Sequence, residues 1–236
     1  MVTERYRDRF APDIGRISRP FLAWTPARIS LVAILLAVAA GATAGLVRWT
    51  TPLLFVLVSA LIFLSGVFDV IDGHVARSTG RASLRGDFLD HVLDRYADVA
   101  ILVGIAISGF ASPILALLAL VSLLLASYIG TQAQAVGVGR IYAGPLSRAD
   151  RLLILTGVVF LEFLFSIPWP WAPSAPWSKF TYGGVTFTVI DLALIYFLIA
   201  GQVTVYLRAR SVYARLPPRP PGTSGPPPIG AVNPPK

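Results

Sequence analysis

The stretch Pro52–Asp98, PLLFVLVSALIFLSGVFDVIDGHVARSTGRASLRGDFLDHVLDRYAD, decides how the chain is read. It begins with an apolar run from Pro52 to Phe68 and then sets Asp69 and Asp72 at the end of that run. A second run, from Phe88 to Ser108, carries Asp90, Asp94 and Asp98 in its first half. A carboxylate in a membrane helix costs about 3 kcal/mol unless it faces water or is paired, so such acids are functional candidates. Asp69 and Asp72 are spaced i, i+3, and Asp90 and Asp94 i, i+4, which puts each pair on one helix face. The connection between the runs is short, so the two pairs can meet at a single depth.

The rest of the chain agrees with a membrane reading. Of 236 residues, 55% are apolar and 14% charged, against about 25% charged in soluble domains. Mean hydropathy is +0.70. Four further apolar segments run over residues 29–47, 113–134, 152–167 and 187–207, each near the roughly 20 residues a crossing helix needs. Helices are expected, because a lone strand leaves its backbone groups unpaired in lipid. The expectation is an all-α integral membrane protein with six transmembrane helices. The charged lead-in to the first run extends to Arg28, too long for a secretory signal, so this run reads as a retained helix despite Ala42-Thr43-Ala44. The absence of cysteine excludes disulfides, thiolate metal sites and cysteine nucleophiles, and two histidines make a poor basis for zinc.

Charge orients the helices. Seventeen of the 20 Lys and Arg residues fall before the first run, after the sixth, or in the even-to-odd connections. Arg48 and Lys179 lie on the other side and Arg95 within the third run. The positive-inside rule places both termini and the 69–86 region in the cytoplasm. Residues 1–19 interleave charge with Tyr6, Phe10, Ile14 and Ile17, the pattern of a juxtamembrane amphipathic helix. Residues 20–212 form the six-helix domain, and 213–236 read as a disordered Pro- and Gly-rich cytoplasmic tail. The stretch Pro168–Gly184, with Trp169, Trp171 and Trp177, reads as an external loop anchored at the interface. The net charge of +8 follows this topology, and nucleic-acid binding would need a polar domain that the chain does not contain.

Four converging carboxylates repel one another and require a cation. All-oxygen ligation favours Mg²⁺, Mn²⁺ or Ca²⁺. With Arg77, Arg81 and Arg85 nearby, such a site suits a pyrophosphate substrate. Gly73 directly follows Asp72, and Gly86 precedes Asp90 by one turn, leaving space for a ligand.

Taken together, Asp69-x2-Asp72-Gly73-x2-Ala76-Arg77-x8-Gly86-x3-Asp90-x3-Asp94 resembles the signature of the CDP-alcohol phosphotransferase family at all eight defined positions. Members transfer the phosphatidyl-type group of a CDP-linked lipid to an alcohol, releasing CMP, in phospholipid synthesis. The resemblance implies Mg²⁺ or Mn²⁺, as two ions, held by Asp69, Asp72, Asp90 and Asp94. Asp94 would be the catalytic base. Asp69, Gly73, Ala76, Arg77 and Gly86 would form the CDP-binding pocket. A homodimer embedded in membrane lipid is implied as well. Asp98 lies outside the signature and reads equally as support for the site or as a polar helix contact. His74 and His91 read as spacers or substrate-side contacts, and Glu162 and Asp191 as structural or dimer contacts.

For the acceptor, Arg148, Arg151 and Arg208 sit at cytoplasmic helix ends and offer guanidinium forks suited to phosphate. Their placement, and the segment Tyr128–Arg151, resemble the inositol-phosphate branch of the family, the phosphatidylinositol phosphate and archaetidylinositol phosphate synthases. The chain departs from the bacterial members in carrying Gly130 and Gln132 where they have basic residues. It also has Ala27 where many relatives have asparagine. The expected acceptor is myo-inositol 1-phosphate and the expected donor CDP-archaeol or CDP-diacylglycerol. Glycerol 3-phosphate or serine is the alternative within the family. A cation transporter is the alternative outside it, which would spread its acids toward the midplane.

Overall fold

The computed structural model describes residues 7–139, 141, 143–167 and 179–216. Seven α-helices lie among them: α1 (Arg7–Ser18), α2 (Pro26–Leu46), α3 (Leu54–Ser78), α4 (Leu84–Ile107), α5 (Pro113–Ala135), α6 (Arg148–Ser166) and α7 (Val189–Arg215). Proline opens α2 and α5, where its missing N–H is not needed. Ser83, Ser112, Ser147 and Thr188 cap α4, α5, α6 and α7 through their side-chain oxygens, satisfying N–H groups that the helices leave orphaned. At α6 and α7 the caps are reciprocal, with Asp150 and Asp191 returning the bond.

Four helical segments, Pro26–Trp49, Leu54–Ser78, Pro113–Ala135 and Val189–Arg215, are long and apolar enough to cross a membrane. Only 33 to 44% of their most apolar windows is buried inside the fold. Leu31, Leu35, Phe63, Leu64, Leu117 and Ile199 instead point outward, a distribution that water would penalise and lipid accepts. The chain is a multi-pass membrane protein. The other two long helices, α4 and α6, pack among these four: α4 against α2 and α5, α6 against α3 and α7.

Several boundaries differ from the sequence reading. The α3 helix does not stop near Phe68 but continues to Ser78, so the first half of the signature, Asp69 to Arg77, extends the same helix. Phe187 and Thr188 belong to a two-stranded antiparallel hairpin, β1 (Lys179–Tyr182) and β2 (Val185–Thr188), instead of starting the last span. Consecutive Gly183 and Gly184 take positive φ at its tip, which the sequence offered as a loop signal only. The α7 helix runs through Arg215, past position 213 where a tail was expected. Residues 217–236 and the three loop tryptophans lie outside the described residues. At the N-terminal end, the helix α1 covers Arg7–Ser18 of the 1–19 segment and packs against α3.

The core joins all six long helices, with Phe55, Ile62, Ile101, Ile105, Leu155, Leu194 and Phe197 at its centre. The tightest approach is between α2 and α4. A Cβ built on Gly41 would run into the carbonyl of Ala100, and one on Gly104 into the backbone of Gly41. Small residues permit such backbone contact between membrane helices. Gly104→Val should therefore overpack this crossing by about 1–3 kcal/mol and lower the thermal midpoint of detergent-purified protein by several degrees. Gly157→Ala, where an added methyl meets nothing within 4 Å, should leave the midpoint unchanged. Equal midpoints for the two variants would refute this account of the crossing.

Candidate active site

Extension of α3 through the signature puts Asp69, Asp72, Gly73, Ala76 and Arg77 on one rigid helix. Facing it, α4 begins at the Ser83 cap, whose Oγ accepts from Gly86 N at 3.1 Å. From there Asp90, Asp94 and Asp98 follow at successive turns of one face. The two helices bring one carboxylate oxygen from each of Asp69, Asp72 and Asp90 within 4.8 Å of one another. Asp72 is buried, and its Oδ2 accepts a 2.6 Å hydrogen bond from Ser30 Oγ of α2. A crevice of about 10 Å³ lies between these groups, lined also by Ala33, Asp94 and Arg148. Its size matches one small ion or water. The all-carboxylate donor set fits a hard divalent cation such as Mg²⁺ or Mn²⁺.

Asp94 stands outside that three-carboxylate group. Its Oδ1 meets Arg148 Nη1 at 2.7 Å and its Oδ2 meets Arg95 Nη2 at 3.5 Å. Arg148, the first residue of α6, also pairs with Asp69. Burial works against its charge, but the facing carboxylates of Asp69, Asp94 and Asp98 outweigh that and hold its pKa above the ordinary arginine value. One turn further along both helices, Arg151 Nη2 pairs with Asp98 Oδ2 at 2.8 Å. The faces of α4 and α6 are thus zipped by two ion pairs, Asp94–Arg148 and Asp98–Arg151.

Beside this zipper opens a polar cavity of about 240 Å³. Its wall includes Asp94, Arg95, Arg148, Arg151 and Arg208, with Thr131 and Gln134 of α5 among its neutral groups. Asp94 and Arg148 line both this cavity and the carboxylate crevice. The Nε atoms of Arg95, Arg148 and Arg151 are buried without a hydrogen-bond partner among the described residues. The cluster therefore holds more N–H donors than acceptors, the balance that an anion corrects.

The sequence-expected residues come together with some changes of role. The three arginines expected at the acceptor phosphate all line the cavity, but none stands alone there. Arg148 and Arg151 are held by carboxylates, and Arg208 Nε and Nη1 donate to the carbonyls of Ala143 and Ala126 at 2.9 and 2.7 Å. Arg208 thereby ties the α5–α6 connection to α7. Gly73 lies beneath the Arg77 side chain, whose Nη1 would stand 3.2 Å from a Cβ at that position. At Gly86 an added Cβ would meet only Ser83 Oγ, at 3.3 Å, so the space above it is open. Arg77 and Gly86 are both exposed. Asp191 is structural: besides capping α7, it accepts from Ser112 N at 2.7 Å. Sequence reasoning missed Ser30 and Arg95. Ser30 is one hydroxyl on an apolar helix, a common feature, whereas Arg95 was visible as the one basic residue inside a predicted span.

Residues 23–207 match the CDP-alcohol phosphatidyltransferase family. The archaetidylinositol phosphate synthase of Methanothermobacter thermautotrophicus is 34% identical over 171 residues, covering 71% of this chain and 84% of that one. The phosphatidylinositol phosphate synthase of Cutibacterium acnes is 32% identical over 151 residues, covering 61% and 66%. The crystal structure of the Mycobacterium tuberculosis phosphatidylinositol phosphate synthase with CDP-DAG bound superposes with a TM-score of 0.64. It is 22% identical, over 85% of this chain and 93% of that one, and it shares the fold. With the eight-position signature assembled on two facing helices and the match spanning most of the sequence, this chain belongs to the CDP-alcohol phosphatidyltransferase family.

Proposed function

We propose that the chain transfers the phosphatidyl-type group of a CDP-linked lipid to inositol phosphate, releasing CMP. The observation that carries this reading is the shared wall of the two cavities. Asp94 and Arg148 border both the carboxylate crevice and the arginine-lined chamber, so a donor at one and an acceptor at the other would meet at Asp94. The arginines of the larger cavity favour an acceptor bearing its own phosphate over serine. The named activities of the archaeal and bacterial relatives support inositol phosphate in particular.

Asp69, Asp72 and Asp90 would hold Mg²⁺ or Mn²⁺, with Asp94 lining the same crevice. Bound there, a divalent ion supplies charge neutralisation for the pyrophosphate and the departing CMP. In the transfer, Asp94 takes the proton of the acceptor hydroxyl. The acceptor oxygen forms a bond to the lipid-bearing phosphorus, and the bond from that phosphorus to the bridging oxygen breaks, so CMP departs with that oxygen. Arg148 holds Asp94 in place through the 2.7 Å contact. Arg151 and Arg208 bind the acceptor phosphate, and Gly73, Ala76, Arg77 and Gly86 shape the CDP pocket. The positive-inside distribution supports six crossings with both termini and the site at the cytoplasmic face. The family resemblance supports a homodimer in the membrane.

Purified protein given CDP-diacylglycerol or CDP-archaeol, a panel of alcohols and Mg²⁺ or Mn²⁺ should release CMP. The lipid product, identified by mass spectrometry, should carry phosphorylated inositol. A product formed only with serine or glycerol 3-phosphate would overturn the acceptor assignment, and metal-dependent ion flux without CMP release would favour a transporter. Asp94→Asn should reduce kcat by about 10²–10⁴-fold, the usual share of a general base, while CDP-lipid still binds. Near wild-type turnover by folded Asp94→Asn would remove Asp94 from that role.

A further inference from the structure

We propose that Asp98 is a positioning residue for the acceptor site, aiming the Arg151 and Arg95 guanidiniums and so setting the affinity for the acceptor's phosphate. The inference rests on the reading of the arginine-lined cavity as the acceptor site. Asp98 is 6% exposed and lines neither cavity, so it does not touch a molecule held in either. It touches two residues that line the larger one. Its Oδ2 lies 2.8 Å from Arg151 Nη2 and 3.8 Å from Arg95 Nε.

Stability alone is a poor reason for this arrangement. Arg151 is 8% exposed, and replacing a buried ion pair by apolar side chains of similar volume is often neutral or stabilising. The carboxylate instead supplies orientation. A guanidinium is a planar fork, and fixing one of its nitrogens sets the direction of the others. Arg151 is the fourth residue of α6, and a side chain of that length has many rotamers to lose on binding unless something holds it beforehand. Asp98 holds it from behind, on the α4 face that also carries Asp94. The same oxygen reaches Arg95, whose Nη2 turns to Asp94. One carboxylate therefore links the fork that would grip the acceptor phosphate to the residue that would deprotonate the acceptor. Without it, the buried Arg151 and half-buried Arg95 guanidiniums would repel each other across the cavity wall, and Arg151 would lose the partner that fixes its plane.

The test is steady-state kinetics on the purified full chain with CDP-diacylglycerol, inositol 1-phosphate and Mn²⁺, for Asp98→Asn, Asp98→Glu, Arg151→Ala and the Asp98→Asn/Arg151→Ala double variant. Loss of a charge-assisted contact predicts that Asp98→Asn raises the acceptor KM about ten-fold or more. The KM for CDP-lipid and the affinity for Mn²⁺ should stay within about two-fold, and Asp98→Glu should recover part of the loss. Because Asp98 acts through its arginine, the double variant should be little worse than Arg151→Ala alone. A lowered thermal midpoint with an unchanged acceptor KM in Asp98→Asn, beside a raised one in Arg151→Ala, assigns Asp98 to structure only. That result overturns the inference while the acceptor reading stands. Unchanged acceptor KM in both single variants overturns the acceptor reading and the inference with it. Should Asp98→Asn not accumulate as folded protein, Asp98→Glu, which shifts the charge by one methylene, carries the test. It should raise the acceptor KM without changing Mn²⁺ affinity, and wild-type acceptor KM there refutes the proposal.

Discussion

The structure is organised around an electrostatic conflict. Asp69, Asp72 and Asp90 present oxygens within 4.8 Å of one another, inside a fold whose long helices turn many large apolar side chains outward. Two unit charges at that separation repel by about 3–4 kcal/mol at an effective dielectric near 20. Two contacts offset the repulsion, the Ser30 hydroxyl on Asp72 and the Arg148 guanidinium against Asp69, and the crevice between the acids has room for a divalent cation that would offset the rest. Along the face of α4 the compensation changes in kind. Asp90 belongs to the candidate metal group, Asp94 to Arg148, and Asp98 to Arg151.

That face is held where it is by backbone contact further along the bundle. The α2–α4 crossing at Gly41 and Gly104 brings α4 against α2, and α2 also supplies Ser30 to the acids of α3. On the opposite side, α6 packs on α3 and begins with a reciprocal Ser147–Asp150 cap. The cap fixes where the helix starts and so which residues, Arg148 and Arg151, meet α4. Small residues, caps and ion pairs thus act on the same few side chains from separate parts of the chain.

Much of this was legible in the sequence because the informative residues are costly where they stand. Acids at helical spacing beside apolar runs have few uses, and their convergence followed from period and loop length alone. The partners were harder to read. Asp69 pairs with a residue on α6, far along the chain, and Asp98 meets Arg151 across a helix interface. Side-chain pairing of this kind depends on helix rotation and crossing, which a hydropathy pattern leaves free. Arginines at helix ends were ambiguous for the same reason, since topology places them there whatever they bind. The short hairpin at Lys179–Thr188 escaped notice because Phe187 and Thr188 run directly into the apolar residues of α7.

The central claim is that three carboxylates from two helices form one divalent-metal cradle. Its most direct test is a Mn²⁺ titration of the purified protein followed by electron paramagnetic resonance, which reads the free ion without reference to turnover. The wild-type chain should deplete the free-ion signal, Asp72→Asn and Asp90→Asn should each weaken that binding by about ten-fold or more, and Arg151→Ala should bind like wild type. Mn²⁺ affinity unchanged by loss of either aspartate would contradict the account.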